Sequence, residues 1–224
     1  MIDIHNFARW DGKIIGQGGP TDEQFADFWG QLASRYADNS KIIFELMNEP
    51  HDLDVATWAE TCQKAVTAIR KAGASSQMIL LPGTDFDSAA TLVSSGSADA
   101  LLTITNLDGS TDNLVLDIHK YLDKDNSGTH AECTTDNVEA LTTIADYLRE
   151  KGRKGLISET GASGDASVST RVCKPPRWRE ARKELELFIQ LTPAFVVSDI
   201  ILRPKQIHQH ELGRVLRTSR LGRR

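Results

Sequence analysis

Apolar residues along this chain alternate between two spacings. Short, nearly unbroken runs at 42–47, 77–82, 114–118 and 154–157, with the end of another at 2–4, predict strands buried on both faces. The stretches between them carry helical spacing instead. Phe25, Phe28, Leu32 and Tyr36 form one stripe, and Trp58, Cys62, Val66 and Ile69 a second. Val138, Leu141, Ile144, Ala145 and Leu148 form the third. Thr21 with Gln24 makes a capping box for the first helix, Asp54 opens the second, and Gly73 and Gly152 stop the last two. A short helix is expected around 88–94, and residues 6–20 read as a Gly-rich loop. Strand and helix in strict alternation give parallel βα units with right-handed crossovers, an α/β architecture.

The polar residues that end the runs change the picture. The strand at 42–47 stops on Asn48-Glu49-Pro50, and Pro50 bars it from continuing as an inner strand. The strand at 154–157 stops on Ser158-Glu159, and the one between ends on His119 and Tyr121. A carboxylate at the C-terminal mouth of a parallel strand is where an α/β barrel keeps its chemistry. A lone Glu there is ordinarily the start of a solvated loop; Asn beside Glu beside Pro narrows the reading. Two glutamates on strand ends, with a His and a Tyr between, suit a retaining glycosidase. There, one carboxyl protonates the leaving oxygen and the other attacks the anomeric carbon from about 5–5.5 Å away.

Composition adds bounds. At 224 residues, 40% hydrophobic and 25% charged, the chain is ordinary for a globular protein, though a full barrel takes about 250. No apolar run approaches the roughly 20 residues of a membrane helix. The net charge of −5 is uneven: residues 168–224 hold 13 Lys and Arg against 5 Asp and Glu, leaving the first 167 acidic. An acidic body argues against nucleic acid as partner, and no membrane partner is expected. The N-terminus shows neither a basic nor an apolar leader region, so no signal peptide is expected in this chain. Three cysteines, Cys62, Cys133 and Cys173, cannot all pair within it; Cys62 is expected as a small buried hydrophobe.

Four segments, DIHNFARW, FELMNEPH, LDIHKYLDKDNSGTHAEC and LISETG, resemble the strand-end motifs of glycoside hydrolase family 5, specifically fungal endo-β-1,4-glucanases. The likeness runs from Ile2 to about Asp165. It implies a (β/α)8 TIM barrel, present here as about five βα units, the family's third to seventh strands. It further implies Glu49 as acid/base, Glu159 as nucleophile, Asn48 on a sugar 2-hydroxyl, His119 near the acid/base, Tyr121 close to the nucleophile, and His5 on an earlier strand end. Trp10 is either a sugar platform or structural, and Phe86 either sugar-facing or loop packing. The resemblance implies a secreted monomer acting on β-glucan or cellulose chains, with no metal or cofactor. The chain therefore reads as beginning after the first two strands.

The expected division is a partial catalytic barrel over 1–167 and an unrelated basic tail over 168–224. Val168-Ser169 can be encoded by a splice-donor hexamer, so the tail reads as a translated intron or a frameshift. Trp178 and the pair His208 and His210 carry no role in that reading. In the resembling enzymes a cysteine at the position of Cys133 bridges to one shortly after the nucleophile strand. Cys173 is the one candidate, and the intron reading expects no such bridge. Two rival functions stand beside the glycosidase. One is a catalytically inactive, aggregation-prone product of such a gene. The other is a metal-dependent barrel hydrolase with His5, Glu49, His119 and Glu159 as ligands, separable by EDTA.

Overall fold

A computed structural model describes residues 1–161 of the chain. The tail at 168–224, the boundary at 167 and Cys173 lie outside the described residues. Five parallel strands form one sheet in the order β1-β4-β5-β6-β7: Ile2–Asp3, Ile43–Glu45, Met78–Leu81, Leu114–His119 and Lys154–Glu159. These are the five expected strands. Helices α1 (Asp22–Tyr36), α2 (Val55–Lys71) and α4 (Val138–Glu150) occupy the crossovers, with a five-residue α3 (Ser97–Leu101) after β5. The sheet and helices are the arrangement of a partial (β/α)8 barrel.

Alternation within the strands sorts residues to the two faces. Phe44, Ile79, Leu81, Leu114, Leu116, Ile118 and Ile157 join the helices in the main core. Leu80, Val115 and Leu156, with Ile43 and Met78, form a smaller cluster on the other face. Trp29 and Trp58 lock α1 and α2 onto the sheet: their indole N–H groups donate to Leu46 O at 3.3 Å and Pro82 O at 2.8 Å. Thr21 and Gln24 form both hydrogen bonds of the capping box, and Asp54 caps α2 by accepting from the Thr57 N–H.

Four local expectations are corrected. In α1 the buried stripe is Phe25, Trp29 and Ala33, while Phe28 is 42% exposed and Tyr36 36%. Trp29 takes the core position, its indole edge-on to Phe44 and bonded to Leu46 O, and the stripe beside it lies at the margin of the buried face. No helix forms at 88–94. Asp85, Phe86 and Asp87 all have positive φ, and Ser88 is tied to His119 by a parallel bridge, so the backbone there enters turns and the helix starts only at Ser97. Val138 is 36% exposed, at the first residue of α4 and ahead of its buried face. The 6–20 loop holds a small antiparallel hairpin, β2 (Arg9–Trp10) with β3 (Lys13–Ile14).

Cysteine chemistry brings one more correction. Cys62 is free and fully buried, as expected. Cys133 is disulfide-bonded, against the expectation that it had lost its partner; that partner lies outside the described residues. Cys133 is bridged to Asp123 in the loop after β6 and shares a cavity wall with Gly161, so the chain leaving β7 runs close to it.

Candidate active site

Glu159 and His119 are the last residues of β7 and β6, and Glu49 follows β4 by four residues, so all three stand at the C-terminal edge of the sheet. Asn48 continues the line of β4, its N–H donating to Ile4 O at 2.9 Å. Glu49 then turns with φ 48°, a left-handed conformation that costs an L-residue roughly 1–2 kcal/mol. A register irregularity pairs His119 with Glu159 instead of Ser158. This bulge lets two successive β7 side chains reach the same neighbourhood, Ser158 to Asp117 and Glu159 to Tyr121.

The resulting contacts bring four of the predicted residues together. His119 Nδ1 lies 2.9 Å from Glu49 Oε1 and 3.6 Å from Glu159 Oε2. The Tyr121 hydroxyl donates to Glu159 Oε2 at 2.8 Å. One oxygen of Glu49 and one of Glu159 lie within 4.8 Å of each other. Their side chains are 22% and 29% exposed, open enough for substrate, whereas His119 is buried. Asn48 is fully buried and neither end of its amide has a hydrogen-bond partner among the described residues. A buried amide left unpaired is costly unless a ligand group completes it.

Burial alone would lower the His119 pKa. The hydrogen bond to Glu49 and the charges of Asp117, Asp87 and Glu159 outweigh it and push it up to about 10. Burial, and then the Glu159 hydrogen bond, also push the Tyr121 phenol up, so it stays a donor. Beneath His119 lie two buried acids that the sequence reading did not single out. Asp117 Oδ1 stands 3.8 Å from His119 Nε2 and accepts from the Ile118 N–H at 3.0 Å. Burial and then the charge of Asp117 push Glu45 well up; burial raises Asp117 too, against the pull of His119. Both interrupt apolar runs, which is the signal that would have marked them.

The other predicted residues form a rim. Phe86 stacks on His51 with ring centroids 4.5 Å apart and planes 19° apart, and His51 in turn meets Phe7 at 5.9 Å. Trp10 stands 60% exposed on the hairpin, whose Arg9 donates to His51 O at 2.8 Å. His5 bonds Asp3 at 3.0 Å and contacts Phe7 edge-on, with no described hydrogen bond to either glutamate.

Three groups of described residues offer close donor atoms for a cation: Glu49, His119 and Glu159; Glu45, Asp117 and His119; and Asp123, Asp125 and His130. His5 is in none of them. In the first, His119 hydrogen-bonds Glu49 and Tyr121 donates to Glu159, which suits proton transfer and nucleophilic attack. Asp123 and His130 of the third line a cavity of about 340 Å³ with Tyr121, Cys133 and Gly161. Burial would raise Asp123, but the N–H groups of Gly128 and His130 and their neighbours pull it down to about 2.

Comparison with known proteins follows the same line. The model of the family described as Cellulase (glycosyl hydrolase family 5) matches residues 1–187. Endoglucanase EG-II of Hypocrea jecorina is 52% identical over 188 residues, which cover 84% of this chain and 45% of that protein. The Manganese dependent endoglucanase Eg5A of Phanerodontia chrysosporium is 48% identical over 172 residues, 76% of this chain and 44% of that one. The crystal structure of Cel5A (EG2) from Hypocrea jecorina superposes with a TM-score of 0.71 at 58% identity, covering 72% of this chain and 49% of that one. This chain thus spans about half the length of the relatives it matches.

Proposed function

The chain belongs to the cellulase family, glycosyl hydrolase family 5, and from that premise we propose that its site hydrolyses β-1,4-glucosidic bonds in β-glucan chains with retention of configuration. The observation that carries this reading is the close approach of the two carboxylates, within 4.8 Å at their nearest donor atoms and joined through His119. That approach suits a double displacement, whose two carboxyls stand about 5–5.5 Å apart.

Glu159 attacks the anomeric carbon, forming a C–O bond to the enzyme as the glycosidic C–O bond breaks. Glu49 gives its proton to the departing oxygen. Glu49 then takes a proton from water, whose oxygen attacks the same carbon and releases Glu159. Tyr121 fixes the attacking oxygen's orientation through its hydroxyl, and Asn48 offers its unpaired amide to a sugar hydroxyl. Trp10 and Phe86 present exposed ring faces to the polymer.

The reading extends to a monomer acting outside the cell, in keeping with the acidic body and the disulfide-bonded Cys133. The division at residue 167 is a separate proposal; the family match ends at 187, inside the basic segment, and the genomic nucleotide sequence around codons 160–175 tests it.

The decisive experiment compares Glu49→Gln with the parent chain on two substrates. Loss should be severe on cello-oligosaccharides, whose leaving group needs a proton, and much smaller on aryl cellobiosides with acidic phenols. Equal losses on both would refute the assignment. A second reading, a divalent-cation-dependent hydrolase, draws on the name of the Phanerodontia relative and on the Asp123, Asp125 and His130 group. Turnover that survives EDTA eliminates it.

A further inference from the structure

The mouths of three strands, β4, β5 and β6, meet at a single residue that neither the sequence nor the family motifs mark. Asp87, fully buried after β5, accepts the Glu49 N–H on Oδ2 at 3.0 Å and the Gly83 N–H on Oδ1 at 2.5 Å. Its backbone carbonyl accepts the His119 N–H at 2.8 Å, and the His119 carbonyl accepts from Ala89 at 3.1 Å. We propose that Asp87 is a positioning residue for the acid/base: it holds the strained Glu49 backbone through its carboxylate and His119 through its main chain, setting the 2.9 Å contact between them.

Glu49 has φ 48°, and a long side chain there gains nothing from a left-handed conformation by itself. In that turn its N–H leaves the β4 ladder and needs an acceptor within a buried site. Asp87 supplies one, and reaches it only because Asp85, Phe86 and Asp87 themselves run left-handed, at φ 58°, 61° and 54°. Phe86 N–H closes the same link from the other side by donating to Pro50 O at 3.0 Å. Two strained segments therefore face each other, each supplying the hydrogen-bond partner that the other lacks.

A carboxylate is the group this geometry demands. Both of its oxygens meet N–H donors, and an Asn amide can satisfy only one, since its NH2 would confront the other donor head-on. Burying a charge there is otherwise unfavourable. Burial does push Asp87 up, and the charge of His119 is the foremost influence in the opposite direction. Gly83 fits the arrangement, because an added Cβ would approach Leu92 Cδ2 to 2.6 Å and Ser97 Cβ to 2.9 Å, displacing the loop whose N–H Asp87 holds.

The inference rests on Glu49 being the acid/base, so its test has one arm that needs no turnover. In the full 224-residue chain, amide hydrogen exchange is followed on the peptide containing Glu49 for the parent, Asp87→Asn and Asp87→Ala. Faster exchange at Glu49, by roughly 10- to 100-fold, is expected in Asp87→Ala, as befits loss of a hydrogen bond to a charged group. The second arm compares kcat/KM on cello-oligosaccharides with that on an activated aryl cellobioside. Asp87→Asn should lower the first at least about 10-fold more than the second, with KM little changed. Unaltered exchange at Glu49 overturns the proposal. So do equal losses on both substrates with a lowered unfolding midpoint, the signature of a merely structural role. Faster exchange in a chain that turns over neither substrate upholds the positioning of Glu49 while refuting the proposed activity.

Discussion

His119 Nδ1 and Glu49 Oε1 stand 2.9 Å apart although 70 residues separate them in the chain. The contact joins two strand ends, and it makes a buried imidazole the centre of charge among four acids: Glu49, Asp87, Asp117 and Glu159. With its pKa pushed up to about 10 in the folded chain, against about 6.5 unfolded, His119 binds its proton more tightly when folded. Its contribution to stability is therefore complete below pH about 6.5, declines as pH rises, and is gone above about 10. The gap in unfolding free energy between the parent and His119→Gln should be largest near pH 6 and narrow steadily toward pH 10. A gap that widens with pH would contradict the charged state of the ring.

Tyr121→Phe removes one hydroxyl and the 2.8 Å bond to Glu159 while leaving the ring in place. A hydrogen bond to a charged group is worth about 1.5–3 kcal/mol, so kcat/KM should fall roughly 10- to 100-fold with little change in the unfolding midpoint. Unchanged kinetics would detach Tyr121 from the nucleophile.

The three tryptophans among the described residues divide by burial, and two of them make a matched pair. Trp58 is fully enclosed and donates to Pro82 O, so Trp58→Ala should cost about 3–5 kcal/mol in urea unfolding. Trp10, 60% exposed at the rim, should change stability by less than about 0.5 kcal/mol on going to Ala. It should instead weaken the binding of long glucan chains relative to short ones. Similar stability losses from both would mean that the hairpin is part of the core.

How much of this was legible follows from how local each signal is. The five strands, the Thr21 capping box and the strand-end positions of Glu49, His119 and Glu159 depend on short windows of apolar spacing and cap chemistry, and the structure places them as read. Phe28 was misassigned because four apolar or aromatic residues fit more than one stripe; Trp29, beside it, wins the core by packing on Phe44 and bonding Leu46 O. The segment after β5 reads as a short helix at 88–94 because three left-handed residues in a row leave no mark in composition. Asp87 was invisible for the same reason: its role exists only where three loops meet. Glu45 and Asp117 were visible as acids inside apolar runs, and only burial beneath His119 gives them meaning.

The central claim is that Glu159 attacks the sugar while Glu49 manages the proton. It is tested most directly by trapping. The full chain is incubated with a 2-deoxy-2-fluoro-β-cellobioside bearing a good leaving group, digested, and read by mass spectrometry. The account predicts one added glycosyl unit, held by ester linkage on the peptide containing Glu159 and missing from Glu159→Gln. A label on Glu49 or any other residue, or no label at all, would contradict it.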